Sequence, residues 1–143
     1  MSKPLVVDTM VFAYALLGVS THRETALAAL EAADPIVVPD SCYAELANVV
    51  WQWTRAKEIS RETGHALLTD AEVLINRSHP TTHLWSQALS LAIDADHPAY
   101  DTLFIAAAQR EGTQVVTFDK RLQTAFPDWT LAPELFLGLR NCF

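Results

Sequence analysis

Four carboxylates in this chain have the side-chain type and the positions for joint chemistry. They are Asp8, Glu45, Asp101 and Asp119. Like charges held a few ångströms apart repel one another and favour protonation, whereas a hard divalent cation bound between them removes the repulsion. The prediction of an oxygen-ligated metal site therefore depends on whether the fold gathers these side chains.

The segments that carry the four acids alternate between apolar strands and helical patterns. Strands are predicted at residues 5–7, 36–38, 80–83, 115–117 and 129–131. Helices are predicted at residues 9–17, 20–33, 40–53, 60–76, 85–95 and 101–111, with a short helical turn after residue 119. This alternation indicates a doubly wound α/β fold, in which helices cover both faces of a parallel sheet.

A parallel sheet has one edge where the carboxyl ends of its strands meet, and ligands usually bind there. Asp8 and Asp119 directly follow predicted strands and reach this edge. A helix that leads into a parallel strand runs antiparallel to it, so the helix that begins at Asp101 starts at the same edge. The helix of Glu45 leaves from this edge as well, and we therefore expect the four acids to converge.

Each aspartate also has a simpler explanation as a helix cap. Asp is a favoured N-cap residue, and Asp8, Asp101 and Asp119 each precede or open a helical segment. Taken singly, a cap explains each of them more simply than a metal ligand. Glu45 is different, because with Asp40 as the N-cap it lies beyond the N3 position of a capping-box glutamate. Its semi-buried position requires a partner.

Other catalytic and metal-binding motifs are missing from the sequence. The five histidines are scattered, and we expect them to be solvated or capping; they are His22, His65, His79, His83 and His97. Pro80 interrupts the one pair with helical spacing, so the sequence contains no zinc motif. The sequence also lacks a glycine-rich phosphate loop and a Gly-x-Ser-x-Gly elbow, which argues against nucleotide hydrolases and serine hydrolases. Mg²⁺ or Mn²⁺ fits the carboxylates better than Zn²⁺.

Length and composition predict one compact domain over residues 1–143, with half of the residues hydrophobic. The net charge of -7 argues against broad coating of nucleic acid, although a bound cation would change the local charge of the cleft. Cys42 and Cys142 are too few for a disulfide scaffold. With no targeting signal and no membrane segment in the sequence, we expect a cytoplasmic protein.

Four segments of the sequence together resemble PIN domains, and VapC-type toxins most closely. They are Leu-Val-Val-Asp-Thr (5–9), Ala-Glu-Leu (44–46), His-Pro-Ala-Tyr-Asp (97–101) and Val-Thr-Phe-Asp (116–119). The resemblance covers essentially the whole chain, with the acids in the family's order and at its usual separations. It implies a three-layer, flavodoxin-like fold with a five-stranded parallel sheet. It also implies an endoribonuclease that cleaves single-stranded RNA with one or two Mg²⁺ or Mn²⁺ ions.

The resemblance also implies roles for individual residues and partners. The three aspartates would hold the first metal ion, and Glu45 would contribute to a second. Thr9 and Thr117 lie where such domains keep hydroxyls that hold the acids or position water, although a capping or strand-forming threonine explains them equally well. A homodimer and a cognate antitoxin are implied as well, with residues 43–74 as an apolar interface. Trp51 and Trp85 fit the core or that interface better than a base-stacking role.

Two other functions remain open at this point. The first is a catalytically silent PIN scaffold that only binds a partner, against which the presence of all four acids argues. The second is an aspartyl-phosphate-type phosphatase. Those phosphatases need a second Asp two positions after the first, where this chain has Met10, and the paired acids of response-regulator receivers are also missing.

Overall fold

The computed structural model describes residues 3–17 and 21–140, which form five strands and eight helices. The strands are β1 (Lys3–Val7), β2 (Ala33–Pro39), β3 (Arg77–His79), β4 (Val115–Val116) and β5 (Thr130–Leu131). The helices are α1 (Thr9–Leu17), α2 (Arg23–Ala32), α3 (Ser41–Arg55), α4 (Arg61–Leu74), α5 (Thr81–Ala95), α6 (Ala99–Glu111), α7 (Lys120–Ala125) and α8 (Glu134–Arg140). A 3-10 turn, Pro127–Trp129, precedes β5.

The five strands form one parallel sheet in the order β3-β2-β1-β4-β5. The central strand, β1, pairs with β2 on one side and with β4 on the other, and its Leu5, Val6 and Val7 are completely buried. A strand covered on both faces must be apolar throughout, which explains its unbroken apolar run. The predicted doubly wound α/β sheet is confirmed. Its winding direction changes between β1 and β4, where ligands bind in such sheets.

The helices form two groups. Helix α1 packs against α2, α3 and α4, whereas α6 packs against α5 and against strands β1, β2 and β4. Right-handed crossovers place these groups on opposite faces of the sheet. Residues 102–108 of α6 are all buried, because the helix lies between the sheet and α5. Gly112 ends α6 with a φ of 65°, a left-handed conformation that glycine adopts without strain.

The third strand lies three residues before its predicted position at 80–83. Pairing with β2 selects the polar segment Arg77–His79 as an edge strand, against its low β propensity. Arg77 and His79 are both stabilised by Glu111 of α6, with nitrogen–oxygen distances of 2.7 Å in each case. The expectation that His79 is solvated or capping is therefore wrong. Burial raises the pKa of the Glu111 carboxyl, but His79 and Arg77 together outweigh this effect, so the pKa lies below its ordinary value.

The side chain of Asp40 caps a different helix from the one predicted. Asp40 precedes α3 but makes no capping bond to it. Its Oδ1 instead accepts hydrogen bonds from the Thr81 backbone nitrogen at 2.9 Å and from the Thr81 hydroxyl at 2.6 Å. Asp40 therefore connects the start of α3 to the start of α5. Glu45 is the fifth residue of α3, so it remains too far along the helix for a capping box.

The sequence pattern does not predict α8, which packs against α2 and buries Phe136. The second helix begins at Arg23, three residues after its predicted start. Gly18 and Ser20, expected to separate the first two helices, lie outside the described residues, as does Cys142. Cys42 is buried and has a free thiol.

Candidate metal centre

Asp8 follows β1 directly, and hydrogen bonds hold both oxygens of its carboxylate. Oδ2 accepts from the Thr117 hydroxyl at 2.6 Å, and Oδ1 accepts from the Thr9 backbone nitrogen at 2.8 Å. The Asp8 backbone nitrogen donates to the Val116 carbonyl at 3.0 Å, which continues the β1–β4 ladder past the end of β1. Because the bond to Thr9 joins neighbours in sequence, it differs from an N-cap bond to the N2 or N3 position.

Thr9 connects Asp8 to Glu45 across two helices. The Thr9 hydroxyl, at the first position of α1, donates to Glu45 Oε2 at 3.1 Å and lies 3.5 Å from Cys42 Sγ. The Thr9 side chain is buried, although threonine residues are mostly exposed in proteins. The buried hydroxyl therefore has Glu45 as a specific polar partner, and this hydrogen bond holds the Glu45 side chain close to Asp8.

Thr117 and Asp119 lie just beyond β4. The fully buried Thr117 hydroxyl donates to Asp8 and accepts from the Asp119 backbone nitrogen at 3.0 Å. Asp119 is the N-cap of α7, since its Oδ1 accepts from the backbone nitrogens of Arg121 at 2.9 Å and Leu122 at 3.2 Å. The cap explanation is therefore correct for Asp119. It uses one carboxylate oxygen and is compatible with ligation through the other.

Asp101 is the third residue of α6, which follows the N-cap Pro98, so its side chain is not the predicted cap. Its Oδ2 instead lies 2.9 Å from His97 Nε2. The His97 side chain is only 5% exposed, against 34% for Asp101. One ligand atom from each of His97, Asp101 and Asp119 can be chosen so that all three lie within 4.8 Å of one another.

His97 is the residue that sequence reasoning missed at this site, and the expectation of a solvated or capping histidine is wrong for it. The available signal was its spacing of four residues before Asp101, across the start of a helix. Pro98 between them obscured this signal, because proline argues against a continuous helical pair. In the structure, Pro98 is the N-cap itself, so the imidazole and the carboxylate meet across the first turn of α6.

The electrostatics of the cleft join all four acids. Burial raises the pKa of Asp8 to about 6, with smaller contributions from the charges of Asp101 and Asp119, while the bonds from Thr117 and Thr9 oppose the rise. Burial also raises the pKa of Glu45 to about 7. The charge of Asp8 adds most of the remaining increase for Glu45, and Asp101 adds less. Without a cation, Glu45 is therefore partly protonated at neutral pH, whereas Asp8 gains a proton only as the pH falls towards 6.

The acids line an open cleft at the carboxyl ends of β1 and β4. Thr9, Met10, Tyr14, Asn48, Val49 and Phe118 complete its lining. Tyr14 and Phe118 form an edge-to-face pair with ring centroids 5.3 Å apart. The carboxylate oxygens are suitable ligands for Mg²⁺ or Mn²⁺, and the imidazole of His97 lies beside them. The cleft is thus lined by acidic side chains together with partly apolar and aromatic ones.

A family model for the PIN domain matches residues 5–126, a span that includes all four acids. The chain belongs to the PIN-domain family. PIN domains are typically metal-dependent nucleases. PIN nucleases use divalent metals, and the acidic cleft of this PIN domain contains a candidate site for one. No curated protein sequence matches the chain significantly.

Two solved structures resemble this PIN domain in fold. PAE2754 from Pyrobaculum aerophilum matches with a TM-score of 0.75 and 16% identity, over 99% of each chain. FitAcB from Neisseria gonorrhoeae matches with a TM-score of 0.62 and 20% identity, over 91% of this chain and 98% of that chain.

Among the described residues, no helix has the length and apolar character to cross a membrane.

Proposed function

We propose that this PIN domain, as a single domain over residues 1–143, is a Mg²⁺- or Mn²⁺-dependent endoribonuclease that cleaves single-stranded RNA in the cytoplasm. We further propose that it is the toxin of a type II toxin-antitoxin pair. One observation carries the nuclease proposal: Asp8, Glu45, Asp101 and Asp119 share one cleft, and the charges of neighbouring acids help to raise the pKa of Asp8 and of Glu45. RNA as the substrate and an antitoxin as the partner rest on the resemblance to VapC-type toxins.

Within the proposal, the three aspartates would hold one cation, and Glu45 would contribute to a second. A cation bound there would activate a water molecule and stabilise the charge that develops on the scissile phosphodiester. Thr117 and Thr9 act on the acids, since their hydroxyls orient Asp8 and Glu45. Tyr14 and Phe118 offer aromatic surface at the cleft wall, which suits unpaired bases better than a duplex.

The alternatives differ from this proposal in measurable ways. An aspartyl-phosphate phosphatase needs a second Asp two positions after its nucleophile, and this chain has Met10 two positions after Asp8. A silent binding module needs no cation at all. Calorimetry with Mg²⁺ and Mn²⁺, followed by cleavage assays on single-stranded RNA and on DNA of the same sequence, tests all three. Metal-dependent cleavage of the RNA supports the proposal, and cleavage of DNA alone would contradict it.

A homodimer is also part of the proposal, and the structure changes which surface supports it best. In helix α5, Trp85, Leu89 and Ile93 follow one another at four-residue spacing and are 60%, 56% and 70% exposed. The interface expected at residues 43–74 exposes Tyr43 and Trp51 on α3 and Val73 on α4, so its large apolar residues are divided between two helices. A continuous apolar stripe on a helix is a characteristic contact surface.

Two matched substitutions distinguish these surfaces. We expect Leu89→Glu on α5 to convert the dimer to a monomer, while Val73→Glu on α4 leaves it intact. Light scattering at micromolar concentration measures both variants, and circular dichroism checks that they fold. If Val73→Glu alone breaks the dimer, the interface at residues 43–74 is correct, and a wild-type monomer would contradict both.

A further inference from the structure

The imidazole of His97 lies in the turn between α5 and α6. Asp96 ends α5 in a left-handed conformation with φ of 52°, and the His97 backbone nitrogen donates to the Ala92 carbonyl at 3.1 Å. Pro98 then starts α6 from an extended conformation. The backbone on both sides of His97 is therefore fixed, and its side chain is 5% exposed.

The ring of His97 contacts two groups. It forms an edge-to-face pair with Phe126, with ring centroids 6.3 Å apart, and its Nε2 lies 2.9 Å from Asp101 Oδ2. Asp101 itself is one-third exposed and has no cap bond to hold its carboxylate. His97 is thus the rigid member of the pair, and Asp101 is the candidate ligand whose carboxylate needs to be oriented.

Every aspartate of the candidate centre has a donor that fixes it. Asp8 accepts from Thr9 and Thr117, and Asp119 accepts from two backbone nitrogens of α7. For Asp101, the corresponding donor is the Nε2–H of His97. A proton on Nε2 directed at Asp101 excludes a metal ion from the same nitrogen, so this geometry favours orientation over direct ligation.

We propose that His97 is a positioning residue of the metal centre, which donates from Nε2 to Asp101 Oδ2 and leaves Asp101 Oδ1 for the cation. This inference rests on the proposed metal-dependent function. Partners that orient metal-binding carboxylates typically change metal affinity by about 10- to 100-fold when they are removed. His97 therefore influences the cation without touching it.

The test compares two substitutions of His97 by calorimetric titration of the full chain with MgCl₂ and with MnCl₂. His97→Gln keeps an N–H donor near the position of Nε2, whereas His97→Leu fills the space and removes the donor. We expect His97→Leu to weaken the binding of both ions by roughly 10- to 100-fold, and His97→Gln to retain binding close to that of the wild type.

His79→Leu is the matched control, because His79 also bonds a carboxylate, that of Glu111, at 2.7 Å but lies outside the cleft. We expect it to bind both ions like the wild type. If His97→Leu fails to fold, His97→Asn replaces it, since the shorter amide does not reach the position of Nε2. His97→Asn should then bind weakly and His97→Gln should bind well.

Each contrary result has a distinct meaning. If the variants without the donor bind both ions like the wild type, His97 is only a packing residue and the inference is wrong. If His97→Gln loses Mn²⁺ binding far more than Mg²⁺ binding, the imidazole is itself a ligand, and the positioning role is overturned. If the wild type binds neither ion, the proposed metal-dependent function fails together with this inference.

Discussion

The two halves of the acidic cleft are held by different parts of the chain. In the threonine half, hydroxyls of Thr9 and Thr117 hold Asp8 and Glu45. In the helix-start half, Asp101 and Asp119 lie at the beginnings of α6 and α7, held by an imidazole and by backbone nitrogens. Burial raises the pKa of both carboxyls in the threonine half.

This difference separates two properties of the cleft, the orientation of its carboxylates and the dependence of metal binding on pH. In the helix-start half, nitrogen donors orient the carboxylates of Asp101 and Asp119. In the threonine half, desolvation and like charges disfavour the charged form of the carboxyls, so a cation that binds there must displace protons. The threonine half is thus the part of the cleft that makes metal binding depend on pH.

The largest effect is expected in the helix-start half, from Asp101→Asn. Asparagine keeps an oxygen that can accept from His97, so the metal-free melting temperature should stay near that of the wild type. Metal-dependent cleavage of single-stranded RNA should fall by at least roughly a hundredfold, because the ligand charge is lost. The exposed Asp94→Asn on α5 is the control and should cleave normally. Full cleavage by purified Asp101→Asn would remove Asp101 from the site.

The next largest effect is the pH dependence of Mg²⁺ binding, which we expect to arise in the threonine half. Lowering the pH from 8 to 6 should weaken Mg²⁺ binding by on the order of tenfold, because protons on Glu45, whose pKa is about 7, compete with the cation. Titrations in buffers of different ionisation enthalpy should show proton release on binding. In Glu45→Gln this pH dependence should be much reduced. A Mg²⁺ affinity that does not change between pH 8 and pH 6 would contradict the inference that protons on Glu45 compete with the cation.

A smaller effect is expected from the hydroxyls themselves. Thr117→Val preserves shape but removes the 2.6 Å bond to Asp8 and the acceptor for the Asp119 backbone nitrogen. We expect about tenfold weaker Mg²⁺ binding, and a lesser loss for Thr9→Val. Thr113→Val removes a similar 2.6 Å bond, to the Pro4 carbonyl, outside the cleft and serves as the control. Equal affinity in all three variants would show that the hydroxyls are structural only.

The smallest effect concerns the stability of the metal-free protein. The pKa values of Asp8 and Glu45, about 6 and about 7, lie above their ordinary values of 3.8 and 4.5. The folded state therefore binds more protons than the unfolded state, so this stabilisation is complete below about pH 4 and is lost as the pH rises through 6 to 7. Relative to Glu45→Gln, which mimics the protonated acid, the wild type should melt at progressively lower temperature from pH 5 to pH 8. A constant difference would contradict this.

Much of the site was predictable because its signals are local. The apolar runs of β1 and β4 and the helical pattern after Asp101 each lie within a few residues of the acid they position. Once the sheet is parallel, the carboxyl ends of its strands must meet, so convergence of the acids follows from topology. The cleft indeed contains Asp8, Glu45, Asp101 and Asp119 together.

The features that the sequence did not reveal depend on contacts between distant segments. Pairing with β2 moved β3 onto a polar segment, and Glu111 of α6 became the partner of His79. The exposed stripe of Trp85, Leu89 and Ile93 looks in the sequence like any other amphipathic helix face. In each case the deciding partner lies 30 or more residues away or is the solvent, and local pattern carries no information about either.

The sequence by itself determined the fold class and the edge at which the acids meet, because apolar periodicity is local and the common edge follows from the alternation of strands and helices. Only the tertiary structure decided which acids hold protons and which donor holds each one. The raised pKa of Asp8 and Glu45 comes from burial by several elements at once, and the bond from His97 to Asp101 depends on the turn between α5 and α6. Desolvation and hydrogen-bond geometry are properties of the packed chain, so residue types and spacing alone do not specify them.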